Sequence, residues 1–191
     1  MTARRASTAG TQDGIPTGRD EVTAAILDSA AELFAERGPA AASIREIAAH
    51  ARVNHGLLFR HFGTKEQLVA AVLNHLAARA TRLMDAGAPP GEIEVAADRQ
   101  FRVIARALLD GFPVGQLQTS FPGATRLLDE IRPRHRSDQT ARLAAANAVA
   151  LRLGWQLFEP FLRAATGLDN MTEARLRQSI RTETARLLDP H

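Results

Sequence analysis

Residues 43–66 read SIREIAAHARVNHGLLFRHFGTKE, and this stretch decides the fold. Ser43 and Glu46 have the Ser-x-x-Glu spacing of a capping box, which opens a short helix. Asn54 is a good N-cap for a second short helix, which we expect to run to about His61. Two short capped helices joined by a tight turn have the length and spacing of a helix-turn-helix.

The second of these helices has one face that is not needed for packing. At about 100° per residue, Leu58 and Phe62 point inward and Arg60 points nearly the opposite way. In such a unit an arginine can donate two hydrogen bonds to guanine, a leucine can contact a thymine methyl and a glycine allows close approach to the major groove. An ordinary helical hairpin in a core is the alternative. The residues expected on or beside the outward face are His55, Gly56, Leu57, Phe59, Arg60 and His61.

Basic residues surround the two helices. Ser43 and Arg45 lie at the start of the first short helix, and Lys65, the sole lysine, lies at the start of the next helix. Helix N-termini attract phosphate through free N–H groups and the helix dipole. A cation at such a position is unfavourable unless an anion binds beside it, so these residues indicate a phosphate contact. Residues 45–65 hold one acidic residue, Glu46, against the basic residues Arg45, Arg52, Arg60 and Lys65.

The rest of the chain has helical periodicity and shows no sustained alternation with β-branched residues, so we predict an all-α fold. The predicted helices are 19–37, one from Thr64 through Leu83, 93–110, a short helix after Pro122-Gly123, 138–165 interrupted by Pro160, and a last one from Thr172 to about Leu188. The breaker at residues 87–91 separates two domains, and the first 18 residues offer almost nothing apolar to bury, so we predict three regions. These are a disordered basic arm over 1–19, a helix-turn-helix domain over 20–80 and a second helical domain over 85–191.

Composition excludes several classes. The chain has 191 residues and no cysteine, which excludes disulfide scaffolds and thiolate metal sites. No apolar run reaches the roughly 18 residues of a membrane span, and no signal peptide is evident, so we expect a cytoplasmic protein without a membrane partner. The formal charge of +3 hardly argues for nucleic acid on its own.

Catalytic and metal sites are not indicated. His50, His55 and His61 are five and six residues apart, which places them on different faces without a completing carboxylate cluster. The chain also lacks a glycine-rich phosphate loop, a nucleophile elbow and a paired cysteine and histidine. We therefore expect no metal, no cofactor and no enzymatic activity.

The motifs together resemble the tetracycline-repressor (TetR) family. The resemblance is carried by residues 30–38, 43–48, 53–62 and 64–66, and it covers about residues 20–80. The family usually has a small polar residue where this chain has Leu57, a tyrosine where it has Phe59 and a glycine where it has Arg52. Phe59 cannot make the phosphate contact of a tyrosine hydroxyl, whereas Arg52 could add one.

The resemblance implies a homodimer whose second domain binds a small-molecule effector. We expect the effector to be apolar, because the largest apolar candidates for its pocket are Phe101, Ile104, Leu108, Phe112, Phe121, Leu127, Leu151, Trp155 and Phe158. A hydrophobic core is the competing explanation for most of these residues. Apolar positions on the last two helices are expected to form the dimer: Leu143, Val149, Leu153, Leu157, Leu176, Ile180 and Leu187.

The sequence therefore predicts a ligand-responsive dimeric repressor that binds a palindromic operator in double-stranded DNA and is released by its effector. A helical protein-interaction module and an effector-independent activator are the alternatives. The sequence leaves open the effector, the operator, the regulated genes, and whether Arg4 and Arg5 reach a minor groove, as basic arms can.

Overall fold

A computed structural model describes residues 18–190, and this part of the chain is helical without a strand. The all-α prediction is confirmed. The predicted arm, with Arg4 and Arg5, lies outside the described residues except for its last two positions. A 3-10 turn at Arg132–Arg134 precedes the longest helix. The helices are α1 Arg19–Arg37, α2 Ile44–His50, α3 His55–Phe62, α4 Lys65–Asp85, α5 Pro90–Leu109, α6 Val114–Leu117, α7 Pro122–Ile131, α8 Asp138–Thr166 and α9 Glu173–Leu188.

Side-chain caps explain where most of these helices begin. A residue with an extended backbone precedes the helix, and its side-chain oxygen accepts a hydrogen bond from a backbone N–H of the first turn. Each such cap satisfies one N–H that has no partner inside the helix. The capping residues of α2, α3, α4, α8 and α9 are Ser43, Asn54, Thr64, Ser137 and Thr172.

Three helix boundaries differ from the expectations. Helix α5 begins at Pro90 rather than at Ile93, because a proline in the first turn needs no N–H partner and already has a helical φ. The four-residue helix α6 was not predicted. The predicted interruption of α8 at Pro160 is wrong, because the helix continues through this residue to Thr166.

The main core lies among α1, α2, α3 and α4. Its largest fully buried side chains include one from each of these helices, Phe34, Ile47, Leu58 and Leu73. The same core continues into α5 and α6 through residues such as Val103. The division of the chain at about residue 85 stays a prediction. None of the helices in 18–190 is both long and apolar enough to cross a membrane.

Two polar contacts join α5 to the first helices. The Asp110 carboxylate, which follows α5, accepts a hydrogen bond from the backbone N–H of Ala40 at 2.7 Å. Arg99 of α5 donates to the carbonyl of Asp28 at 3.1 Å and lies 3.3 Å from the Glu32 carboxylate. Helix α5 is therefore fixed both to α1 and to the loop between α1 and α2.

The neighbouring leucines of α3 provide a test of its orientation. Leu58 is 1% exposed, whereas Leu57 is half-buried. Leu58→Ala should lower the free energy of unfolding by about 2–5 kcal/mol, because it removes a large side chain from a closed core. Leu57→Ala should cost about 1–2 kcal/mol. Urea denaturation measures both, and equal losses would contradict the orientation of α3.

Candidate nucleic-acid interface

A tight turn at residues 51–54 sets the angle between α2 and α3. Val53 donates its N–H to the carbonyl of Ala48 at 2.9 Å, and Arg52 donates to Ala49 at 3.1 Å. Arg52 has a φ of 55°, in the left-handed region that favours glycine, and its side chain is exposed. An arginine therefore occupies a turn position that glycine would adopt with less strain, and it presents its charge beside α3.

Helix α3 has one buried face and one exposed face. Leu58 inserts into the core, and His55, Gly56, Phe59 and Arg60 are exposed. Leu57 turns partly toward the core instead of fully outward as expected, while Phe59 is 67% exposed. The side of α3 that faces the core is therefore centred between Leu58 and Leu57, and closer to Leu58. The opposite, exposed side is centred near Gly56 and Arg60. His61 is half-buried, with its ring centroid 6.2 Å from that of Phe62.

The start of α2 is held by a complete capping box. The Ser43 hydroxyl accepts from the N–H of Glu46, and the Glu46 carboxylate accepts from the N–H of Ser43 at 2.8 Å. The hydrogen bonds from Ser43, with a further one from Arg37, lower the pKa of Glu46 below its usual value. Arg45 is exposed in this first turn, where its charge faces solvent.

Lys65 is placed differently from the other basic residues. It is half-buried at the start of α4, its ammonium donates to the carbonyl of Ala42, and it lies 5.5 Å from the centre of the Phe34 ring. Burial lowers its pKa, and the nearby charges of Glu46 and Asp110 act in the opposite direction. One N–H of the ammonium is thus used to hold the loop that precedes α2.

The candidate effector residues do not meet at one place. Trp155 lines a cavity of about 520 Å³ between α5, α8 and α9, and the other candidates are not among its lining residues. Ile104 and Phe112 pack against the main core, and Leu127 packs against a smaller core around Ile131. Phe101 and Leu151 are half-buried, and the exposed candidates are Leu108, Phe121 and Phe158.

Sequence reasoning missed the charged lining of this cavity. Glu94, Asp98 and Arg102 of α5 face Glu173, Arg177 and Arg181 of α9 across it. A sequence signal exists, because both triplets have four-residue spacing and run from acidic to basic, so they are complementary when the two helices are antiparallel. The predicted dimer positions also separate: Leu143 is exposed, Leu176 is buried and Ile180 lines the cavity.

Metal binding has no geometric support in residues 18–190, where no group of three or more His, Asp or Glu side chains could hold an ion. What the described residues form is a capped two-helix unit with a tight turn, an exposed face on its second helix and a basic surround. This is the fold of a helix-turn-helix DNA-binding transcriptional regulator.

Comparisons with known proteins agree with this class. The family model described as "Bacterial regulatory proteins, tetR family" matches residues 26–72. The HTH-type transcriptional repressor Rv3405c of Mycobacterium tuberculosis is 62% identical over 177 residues, which cover 93% of this chain and 94% of that protein. The HTH-type transcriptional regulator Mb3439c of Mycobacterium bovis has the same identity and coverage. The chain belongs to the TetR family of bacterial regulatory proteins.

A solved structure supports the fold over almost the whole length. The crystal structure of a TetR-like transcriptional regulator from Rhodococcus sp. RHA1 matches with a TM-score of 0.53 at 23% identity. The match covers 89% of this chain and 97% of the Rhodococcus chain. The family model and the relatives confirm the resemblance seen in residues 20–80, and the likeness of fold extends into the later helices.

The contacts of Lys65 predict a structural effect of its removal. Lys65→Ala should lower the free energy of unfolding by about 1 kcal/mol, because the Ala42 carbonyl loses a charged donor. The adjacent exposed residue gives a matched control, and Glu66→Ala should change stability by no more than about 0.5 kcal/mol. Urea denaturation compares the two variants. Equal stability of Lys65→Ala and the unchanged protein would show that the contact with Ala42 does not stabilise the fold.

Proposed function

We propose that the protein is a dimeric, ligand-responsive repressor that leaves its operator when a small molecule binds among the later helices. The observation that carries this proposal is the exposed face of α3. An eight-residue helix that buries Leu58 in a core and leaves His55, Gly56, Phe59 and Arg60 exposed is available to enter a major groove.

The proposed DNA contacts fall into two groups. We assign Arg60, His55 and Gly56 to base readout, since they are exposed on α3, and we add Leu57, whose half-buried side chain borders that face. Contacts to phosphate are assigned to residues at helix starts, in the turn and on the flanks of α3. That group consists of Ser43, Arg45, Arg52, Asn54, Phe59, His61 and Lys65, in which Phe59 offers only an apolar contact.

Repression rather than activation is supported by the name of a relative. The protein from Mycobacterium tuberculosis that is 62% identical to this chain is called a transcriptional repressor. That identity covers 93% of this chain, so it includes the later helices as well as α2 and α3. A repressor needs only to occupy its operator, which a helix-turn-helix dimer can do without a second protein surface.

An exposed seam on α8 supports a dimer. Leu143, Asn147, Ala150, Gly154, Phe158 and Phe161, which we name the α8 stripe, follow one another at three- or four-residue spacing on one face. Exposure reaches 61% for Leu143 and 68% for Phe161, and a side chain added at Gly154 would meet open space. Pairing of two α8 stripes would bury these apolar side chains and bring two copies of α3 onto one operator.

Helix α5 can couple effector binding to DNA binding. Its first half lines the cavity through residues such as Ile93, and its second half is fixed to α1 through Arg99 and to Ala40 through Asp110. A ligand that shifts α5 would therefore also shift the loop before α2. Coupling of this kind requires that the ligand binds one arrangement of the helices more tightly than the other.

A selection of bound sequences from a random DNA pool tests the proposed function. A palindrome with half-site centres about one to one and a half helical turns apart, with one turn near 34 Å, is expected for a two-fold dimer. Recovery of no preferred sequence would instead favour the protein-interaction module. Transcription from the recovered operator, with and without the protein, separates a repressor from an activator.

Arg60 and Arg45 should give different patterns of lost affinity. Arg60→Ala should cost about 1–3 kcal/mol on the selected operator and much less on random DNA, because a lost base contact removes discrimination. Arg45→Ala should weaken binding to both by a similar factor and reduce the salt slope by about one per site engaged. Binding titrations over a range of salt concentrations measure both. If Arg60→Ala lowers specific and random binding equally, Arg60 contacts the backbone.

The α8 stripe predicts a defined assembly defect. Phe161→Glu changes both copies of the interface, so dimerisation should weaken by about 3 kcal/mol or more, which is at least roughly a hundredfold. Val95→Glu is the matched control, because Val95 is 71% exposed but lies on α5, outside the stripe. Light scattering over a dilution series measures the assembly. A dimer that persists in Phe161→Glu, or a monomeric unchanged protein at micromolar concentration, would contradict this interface.

A further inference from the structure

The cavity between α5, α8 and α9 has a floor and two walls. Trp155 and Gln156 of α8 lie between residues of α5 and α9. A direct ion pair joins the two walls, since Arg181 donates to both oxygens of Glu94 at 2.7 and 2.9 Å. Glu94 and Arg102 are eight positions apart on α5, which makes this part of the groove about 12 Å long. Its volume of about 520 Å³ suits a small molecule.

The charges on the two walls form an antiparallel ladder. Glu94 pairs with Arg181 at one level of the groove. At the next level Asp98 is taken by Arg152 of α8 at 2.9 Å, although it also faces Arg177. Because Asp98 pairs with Arg152 on the floor, it does not pair with Arg177 on the opposite wall.

At the last level of the ladder one guanidinium is left over, because the lining carboxylate of Glu159 is taken by Arg163 outside the groove. Arg177 turns to Glu173 and forms an ion pair with it. Arg102 then has no carboxylate within ion-pair distance among residues 18–190. The hydrogen bond and charge of Arg177 lower the pKa of Glu173, and the charges of Arg163 and Arg102 lower it further. The N-terminus of α9, which begins at Glu173, adds the positive end of a helix dipole.

The groove also has an apolar lining. Ile93, Pro90, Ile180 and Leu188 line it together with Trp155, and Leu176 adds a buried apolar side chain next to Arg177. The lining therefore combines apolar side chains with one unpaired guanidinium. A molecule that is complementary to both has an apolar body and one negative group.

The groove does not compete with the proposed dimer surface. Its α8 residues are Arg152, Trp155, Gln156 and Glu159. At about 100° per residue, these are centred roughly 150° around the helix from the α8 stripe. A second copy of the chain seated on the stripe would leave the groove open for a ligand.

We propose that this groove binds an amphipathic organic carboxylate, whose apolar body lies over Trp155 between Ile93 and Ile180 and whose carboxylate pairs with Arg102. This inference rests on the proposed function only in naming the effector class, because the site itself is defined without DNA. The carboxylate completes the unpaired level of the ladder, and the guanidinium of Arg102 can donate two parallel hydrogen bonds to it.

The head-group preference can be measured with three probes that share one chain. Octanoate, 1-octanol and octylammonium are titrated into the full-length protein without DNA, and fluorescence is followed. Trp155 is the sole tryptophan and the chain has no tyrosine, so the signal comes from the floor of the groove. Octanoate should bind about tenfold more tightly than 1-octanol, as one charge-assisted hydrogen-bonded pair allows, and octylammonium should bind more weakly than either.

Two exposed arginines of α5 distinguish binding at a specific site from general attraction by positive charge. Arg102→Gln should remove the tenfold preference for octanoate and leave 1-octanol binding unchanged. Arg106→Gln, four residues along α5 and outside the groove, should keep the preference. Equal binding of the three probes, an equal loss in both variants, or no response of Trp155 at saturation would overturn the proposal.

A parallel titration of operator DNA keeps the two proposals distinguishable. Octanoate that binds through Arg102 and also weakens DNA binding supports both the site and its effector role. Octanoate that binds through Arg102 without changing DNA affinity supports the site and contradicts the release step of the proposed function. Loss of DNA binding in Arg60→Ala, with unchanged binding of octanoate, is expected in either case.

Discussion

The insertion of Leu58 into the core is the contact on which the interface depends. An isolated helix of eight residues is not stable in water, so α3 exists because it is capped by Asn54 and packed through Leu58. That one buried side chain also fixes the rotation of the helix, and the rotation decides which residues reach solvent. A core residue thereby specifies the identity of the exposed face, and Gly56 and Arg60 are exposed because Leu58 is not.

Helix α5 belongs to two parts of the molecule at once. Val103 lies in the same core as α1 to α4, and Ile93 lies in the wall of the cavity. The Asp110 carboxylate lies close to the α1–α2 loop, where a side chain added at Gly38 would come within 2.5 Å of it. In the proposed mechanism, a displacement of α5 at the cavity would reach this loop through such close packing. One helix thus runs from the wall of the cavity to the core that supports α3.

The sequence predicts what is encoded locally. Ser43, Asn54 and Thr64 mark helix starts by their own chemistry, and the spacing of apolar residues gives the helices and the buried position of Leu58. The cavity depends on helices that are far apart in the chain, so its charged walls were missed while large apolar residues were chosen. The effect of Pro160 on α8 was also mispredicted, because one missing backbone hydrogen bond does not end a 29-residue helix.

Asn147 gives the α8 stripe a property that hydrophobic burial alone does not supply. It lies between Leu143 and Ala150 in an otherwise apolar seam. In a two-fold pairing of the kind we propose, an amide buried against alkyl groups loses its hydrogen bonds to water, whereas two amides placed opposite each other can bond together. Any shifted alignment of the two helices would separate the two Asn147 amides and leave them without hydrogen bonds. Asn147 would therefore specify the register of the pairing, while lowering its stability. The distance between the two copies of α3 on DNA would in this way be set by one asparagine far from the DNA.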